Sequence, residues 1–283
     1  METTSSRHAA PPLSPSLAAR LDAASIAMNL AGARAVAAIP GNPRGLDVRV
    51  FGEVTAVRSR VFPDYEWDNR TWGLTEDRLD RLPQILAFYE QHGARPSIDI
   101  NQCHLTEGLG RALHEAGFFP RDVYPIHYGA VVPGEPPPPP DGVEIRISPD
   151  AEIETWVRMF LEGFGLVHGR TEELLVRRTA WFLAPGFRRY IATLKGEPSA
   201  VAGLFLHSET AILDPATTLP RARGRGLQQA LIRHRLAVAA EAGCDLAGVE
   251  TGWATISHRN QQRVGFDVAF NRIVFSPAYS ERA

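Results

Sequence analysis

The chain has 283 residues, with 30 Lys and Arg against 32 Asp and Glu and a formal net charge of −2. That length favours two domains, and an apolar share of 44% is enough for at least one sizeable core. The balanced charge argues against a protein that holds nucleic acid by bulk attraction to phosphate, and no apolar run approaches the roughly 18–20 residues of a membrane span.

Residues 1–15 are mostly Ser, Pro and Ala and are expected to be disordered. The Ala-rich stretch Ala23–Ala38 is interrupted by Arg34, and the prolines upstream do not make a signal peptide. Cys103 and Cys244 have no CxxC partner, so both read as reduced, buried thiols of a cytoplasmic protein. Nothing in the sequence has metal-ligand spacing.

Leu79, Leu82, Leu86 and Tyr89 fall on one helical face, and Gly93 stops that helix. Pro96–Ile100 reads as a strand, Leu109–Ala116 as a helix ending at Gly117-Phe118, and Tyr124–Val132 as a strand. The proline run Pro136–Pro140 can join neither a helix nor a central strand, so 133–142 reads as a stiff linker. It divides the chain into 16–132 and 143–283.

The second half repeats the order of the first. Gly226–Gly243 reads as a helix with apolar residues on more than one side, which implies burial on more than one side. Leu246–Glu250 follows as a strand, and Ser257–Val264 is a short helix that stops at Gly265-Phe266. Val268–Phe275 closes as a strand. The offset of about 150 residues suggests a duplicated α/β unit, and the alternation of elements points to an α/β architecture.

One segment concentrates chemistry: Thr218-Leu219-Pro220-Arg221-Ala222-Arg223-Gly224-Arg225-Gly226-Leu227-Gln228, between a strand and a long helix. The first turn of a helix has amides without intrahelical partners and partial positive charge, and glycine admits close approach of a phosphate. The pattern is neither a Walker loop, which needs Lys-Ser/Thr after the glycines, nor a complete G-x-G-x-x-G.

The segment resembles the acyl-CoA loop of the GCN5-related N-acetyltransferase superfamily, V-x-P-x-x-R-G-x-G-[IL]-G-x-x-L-[LI]. The match runs through Pro220, Arg223, Gly224, Gly226, Leu227 and Leu231-Ile232, and Gly265-Phe266 resembles the closing turn. The resemblance covers Gly142 to about Pro277. It implies two tandem mixed-sheet domains of that fold, an α/β layered architecture joined by the proline linker. The first lacks the Gly-x-Gly turn, having Asn69–Asp77 in its place, and is expected to bind no CoA. Trp67 and Trp72 are candidates for an acceptor cleft.

The resemblance further implies transfer of an acyl group, foremost acetyl, from acetyl-CoA to a small-molecule or peptide amine, by a monomer or homodimer. The amides of Gly224, Arg225, Gly226, Leu227 and Gln228 would cradle the pyrophosphate beside Arg223. Thr218 and Leu219 would pair with the pantetheine arm, entering between the strand Ala211–Leu219 and the strand Leu246–Glu250, with Asn260 facing it. Three departures stand out. The loop's last small residue is replaced by Gln228, whose longer side chain would crowd or hydrogen-bond a phosphate. The position where the family often keeps a Tyr acid is Gln261, and that of a strand Glu base is Ile212. Glu250, at a strand end, is a candidate base or a surface carboxylate. Ser257 is a candidate donor to the thiolate or the cap of its helix, and Asp214 is a weaker base candidate. His168, Trp156, Phe160, Phe164 and Trp181 lie in the region bordering the acceptor, where aromatics are also ordinary core. The missing Tyr and Glu leave open a second reading, an acyl-CoA-binding sensor without catalysis.

Overall fold

The computed structural model describes residues 8–166 and 171–278. In chain order the first elements are α1 (Pro15–Ala37), β1 (Leu46–Phe51), β2 (Val54–Ser59), β3 (Arg70–Trp72), α2 (Leu82–Glu90), β4 (Ser97–Asn101), α3 (Glu107–Glu115) and β5 (Phe118–Ala130). There follow β6 (Val143–Ile147), α4 (Ile153–Gly163), α5 (Thr171–Phe182), β7 (Phe187–Leu194), β8 (Glu197–His207), β9 (Thr210–Ile212) and β10 (Ala216–Thr218). The last are α6 (Leu227–Glu241), β11 (Leu246–Glu250), α7 (Ile256–Arg263) and β12 (Asp267–Pro277). No helix among the described residues is long and apolar enough to cross a membrane.

Two compact units result. The first holds residues 8–32 and 126–269, the second 33–125 and 270–278. The division therefore does not fall at the proline run, which lies wholly within the first unit as an exposed, irregular stretch. Strand pairing is the reason. Ile126–Ala130 of β5 pair antiparallel with Leu246–Glu250 of β11, while Arg272–Phe275 of β12 pair antiparallel with Ile98–Asn101 of β4. Backbone amides must be satisfied by a neighbouring strand, and sequence position does not say which. Residues 8–14, expected to be disordered, are tied to the first unit. Pro11 O accepts from the Tyr128 hydroxyl at 2.6 Å, and Ala10 N donates to Gly265 O at 3.0 Å. Residues 1–7 lie outside the described residues.

In the first unit the strand order is β5, β11, β9, β8, β7, β6, with β10 on β8. Residues 199–205 of β8 are buried without interruption, because both faces of the strand are covered. Ala200, Ala202 and Leu204 pack with Leu227, Leu231 and Leu236 of α6. Phe205 packs with Ala24 and Met28 of α1. The second unit orders β1, β2, β3, β4, β12, with β3 and β4 parallel. Its core gathers Ile85 and Phe88 of α2, Ile98 and Ile100 of β4, and Leu109 and Leu113 of α3.

The repeat read in the sequence has a structural counterpart. A helix, a strand, a short helix and a strand recur as α2-β4-α3-β5 and α6-β11-α7-β12. Both short helices end on a glycine in the left-handed region, Gly117 at φ 81° and Gly265 at φ 93°. Each is followed by a buried phenylalanine, Phe118 and Phe266. Of the two cysteines expected to be buried, Cys244 is and Cys103 is exposed.

Candidate functional site: a parted strand pair and a bare helix start

In the first unit β11 runs parallel to β9, with Leu246 opposite Thr210 and Gly248 opposite Ile212. A last bond, Leu213 N to Gly248 O at 2.9 Å, closes the pairing. Beyond it the strands part. The expected strand Ala211–Leu219 is interrupted at Leu213-Asp214-Pro215, and β10 resumes as a partner of β8 alone, Thr217 opposite Val201. β11 continues through Val249 and Glu250 against β5. One edge of β10, ending at Thr218, thus has no strand partner among the described residues.

The interruption is locked from two sides. Gly203 N donates to Pro215 O at 2.6 Å, and a Cβ on Gly203 would lie 2.6 Å from Asp214 O, so only glycine allows this approach. Arg235 of α6 donates to Gly203 O at 2.7 Å and to Leu231 O at 3.1 Å. It is fully buried, and desolvation pulls its guanidinium down to about 10, opposed by the charge of Asp214, so it remains a cation at neutral pH. Sequence reading missed this residue. The signal was present, a charge flanked by Leu231, Ile232, Leu236 and Ala239 on a helix buried around most of its girth.

After β10, Leu219 N donates to Ser199 O at 2.9 Å, and a turn at Pro220–Ala222 leads to the glycines. Gly224 and Gly226 both sit in the left-handed region, at φ 77° and 78°. Gly226 is the N-cap of α6 and supplies no side-chain cap; the first helical bond is Ala230 N to Gly226 O at 3.0 Å. The amides of Leu227, Gln228 and Gln229 precede that bond, in the first turn, where an α-helix leaves its amides without an intrahelical partner.

The arginines of the loop are not equivalent. Arg221 reaches Glu162 at 3.3 Å and Pro198 O at 3.1 Å. Arg223 donates to Thr218 O at 3.3 Å and Gly163 O at 3.0 Å, fastening the end of α4 to the loop. Arg225 is exposed and has no ion pair among the described residues. The local positive charge read from three arginines is therefore carried outward chiefly by Arg225.

Other candidates are placed as follows. Glu250 is half-buried at the end of β11. Thr255, not Ser257, caps α7: its Oγ1 accepts from His258 N at 3.2 Å. The helix begins one residue earlier than expected, at Ile256, which puts Ser257 inside it, half-buried. Asn260 is buried, its Oδ1 accepts from Arg263 at 3.0 Å, and its carbonyl accepts from Gln229 at 2.9 Å, joining α7 to α6. Ile212 packs with Ala24 and Met28. Trp156, Phe160 and Trp181 are core, with Trp156 Nε1 donating to Tyr190 O at 3.0 Å, whereas Phe164 is exposed. His168 lies outside the described residues. In the second unit Trp72 is buried and donates to Asp99 at 3.0 Å, which makes it core.

Sequence reading also missed His127. It is fully buried on β5 opposite Val249, and its Nδ1 lies 3.4 Å from Thr251 Oγ1. Its ring meets that of His258 edge to face, centroids 4.5 Å apart. Burial, and then the proximity of His258, pull its pKa down to about 4, so it is neutral at pH 7.

No family model and no curated protein matches the chain. Solved structures do. A GCN5-related N-acetyltransferase from Kribbella flavida is 16% identical, covers 94% of this chain and 97% of its own, and superposes with a TM-score of 0.66. A GCN5-related N-acetyltransferase from Sphaerobacter thermophilus is 15% identical, with coverages of 95% and 94% and a TM-score of 0.55. The chain thus has the GCN5-related N-acetyltransferase fold. Its arrangement is that of a tandem protein: a tandem GNAT protein from the clavulanic acid biosynthesis pathway, determined without AcCoA, matches over 97% of this chain and 98% of its own. That protein is 12% identical, with a TM-score of 0.63.

Proposed function

We propose that this chain is an acyl-CoA-dependent N-acyltransferase, moving an acetyl group from acetyl-CoA to an amine acceptor within the first unit. The observation that carries the reading is the conjunction of parted strands and bare helix start. The free edge of β10 leads through the turn at Pro220–Ala222 to the glycines at the start of α6, so one extended ligand can lie along β10 at Thr218, beside Leu219, and lay its pyrophosphate on the amides of Gly224 to Gln228. Arg225 adds charge there, and Arg223 holds the loop in shape. Bound CoA would supply the activated acyl thioester. The protein would supply alignment of the amine with it, the larger part of such a reaction's acceleration.

The test is binding and then turnover. Gly224→Glu places a carboxylate in the loop where a Cβ meets no atom within 4 Å. At φ 77° a side chain there costs about 1–2 kcal/mol of backbone strain, which an exposed loop absorbs, so the variant should stay folded, slightly less stable, and lose CoA. Thiol release from acetyl-CoA with a panel of primary amines then reports transfer. Wild-type protein that does not bind CoA overturns the reading.

A second reading, an acyl-CoA-binding sensor, is favoured by Ile212 and Gln261, neither of which can move a proton. CoA binding without thiol release for any amine would establish it.

A further inference from the structure

The slot in the first unit makes no use of Trp67. Its indole lines a cleft of about 550 Å³ whose walls, Tyr65, Arg95, Arg121, Ser97 and Ser276 among them, belong wholly to the second unit. Small-molecule sites run from roughly 300 to 1,000 Å³, so the cleft has the size of one.

Trp67 stands on a loop that its neighbours hold still. Asn69 is fully buried; its Nδ2 donates to Phe62 O at 2.8 Å and to Tyr65 O at 2.9 Å, and its Oδ1 accepts from Ser59 N at 2.9 Å. The Arg44 guanidinium lies 4.0 Å from the centre of the Phe62 ring and pairs with buried Asp68. Arg95 N donates to Pro63 O at 2.9 Å, which ties the turn before β4 to the same loop. One side of the Trp67 ring is taken by Arg70, 4.5 Å from its centre, and Arg70 is itself buried and bonded to Asp99 at 2.8 Å. The indole is still 38% exposed. A large ring held in place and left uncovered at a cleft offers contact area whose ordering cost is already met.

The charges of the cleft come in pairs. Arg121 pairs with Glu66 and, at 2.7 Å, with Asp122, so it is committed to the wall. Arg95 and Asp64 meet at 3.5 Å on partly exposed side chains. Such a pair adds little to stability, and both members can turn to a ligand. Side by side they present one positive and one negative group, the complement of a carboxylate and an ammonium carried on one carbon. Ser97 and Ser276, both buried, add hydroxyls whose oxygens lie 3.2 Å apart. One hydroxyl hydrogen is used between them, and the other is left for an acceptor in the cleft.

We propose that this cleft of the second unit binds a free aromatic α-amino acid, its ring on Trp67, its carboxylate on Arg95 and its ammonium on Asp64. A simple anion meets the carboxylates of Asp64 and Glu66, and a simple cation meets the two arginines, so neither charge alone matches the lining. The site is separate from the glycine loop and does not depend on the acyltransferase reading.

The experiment is calorimetric titration of the full chain with L-tryptophan, L-phenylalanine, phenethylamine and 3-phenylpropionate. Both amino acids should bind saturably, one to one. The amine and the acid each lack one charge and should bind at least about tenfold more weakly than L-phenylalanine. Trp67→Ala and Arg95→Gln should each weaken L-phenylalanine about tenfold or more, whereas Trp67→Phe, which keeps a ring, should weaken it less than about threefold. Circular dichroism verifies that the variants are folded. Absence of saturable binding by either amino acid at about 5 mM overturns the proposal. So does phenethylamine or 3-phenylpropionate binding as tightly as L-phenylalanine, which would assign the cleft to a simple cation or anion. Unchanged binding in both Trp67→Ala and Arg95→Gln overturns it too, because the ligand would then sit elsewhere.

Discussion

Arg235 Nη1 lies 2.7 Å from the carbonyl oxygen of Gly203, in the core of the first unit. This bond joins the helix that starts at the glycine loop to the strand whose neighbour is interrupted at Asp214-Pro215. Arg235→Ala would leave the Gly203 carbonyl unsatisfied and open a void, so it should destabilise the protein by about 3 kcal/mol in urea unfolding. Arg235→Lys, which keeps a cation but loses the planar fork, should fall between. If the interruption shapes the CoA slot, both should also weaken CoA binding.

The buried histidine makes stability depend on acid. The folded-state pKa of His127 lies at about 4, below its ordinary 6.5. A group lowered in this way contributes fully above 6.5, and that contribution is lost as pH falls from 6.5 toward 4, because the unfolded chain takes up a proton that the folded chain refuses. The whole loss is about 3 kcal/mol. His234, also lowered by burial, acts in the same sense. Urea midpoints of wild type should drop between pH 7 and 4.5, and the drop should be smaller in His127→Asn.

Capping distinguishes two hydroxyls near the start of α7. Thr255→Ala removes the acceptor of the His258 amide and should cost about 1 kcal/mol by urea unfolding. Ser257→Ala, inside the helix, should leave stability within about 0.5 kcal/mol. Equal losses would mean that both residues support the helix start.

Arginine substitutions in the loop should separate charge from scaffolding. Arg225→Ala should weaken CoA binding several-fold at low salt and less at high salt, as expected of an exposed charge. Arg223→Ala should weaken it at all salt concentrations, because two carbonyls lose the donor that shapes the loop. Titration calorimetry at two ionic strengths reads both.

Local features were legible in the sequence. The glycine loop, the long helix behind it and the paired Gly-Phe turns depend on residues close together in the chain, and glycine conformation and helical periodicity show there directly. What escaped depends on partners far apart. The exchange of Ile126–Ala130 and Arg272–Phe275 between the two units is fixed by strand pairing, which the proline run obscured. His127 meets His258 across 131 positions of sequence, and no spacing rule joins them. Arg221 and Arg223 read as anion-binding charges because their carbonyl and carboxylate partners, Gly163, Pro198 and Glu162, lie on other elements.

The most direct test of the account is calorimetric titration of CoA into wild type and Gly224→Glu, with circular dichroism to verify that both are folded. The account predicts saturable, one-to-one binding to wild type and its loss in the folded variant. Equal binding by the two proteins, or none by wild type, would contradict it.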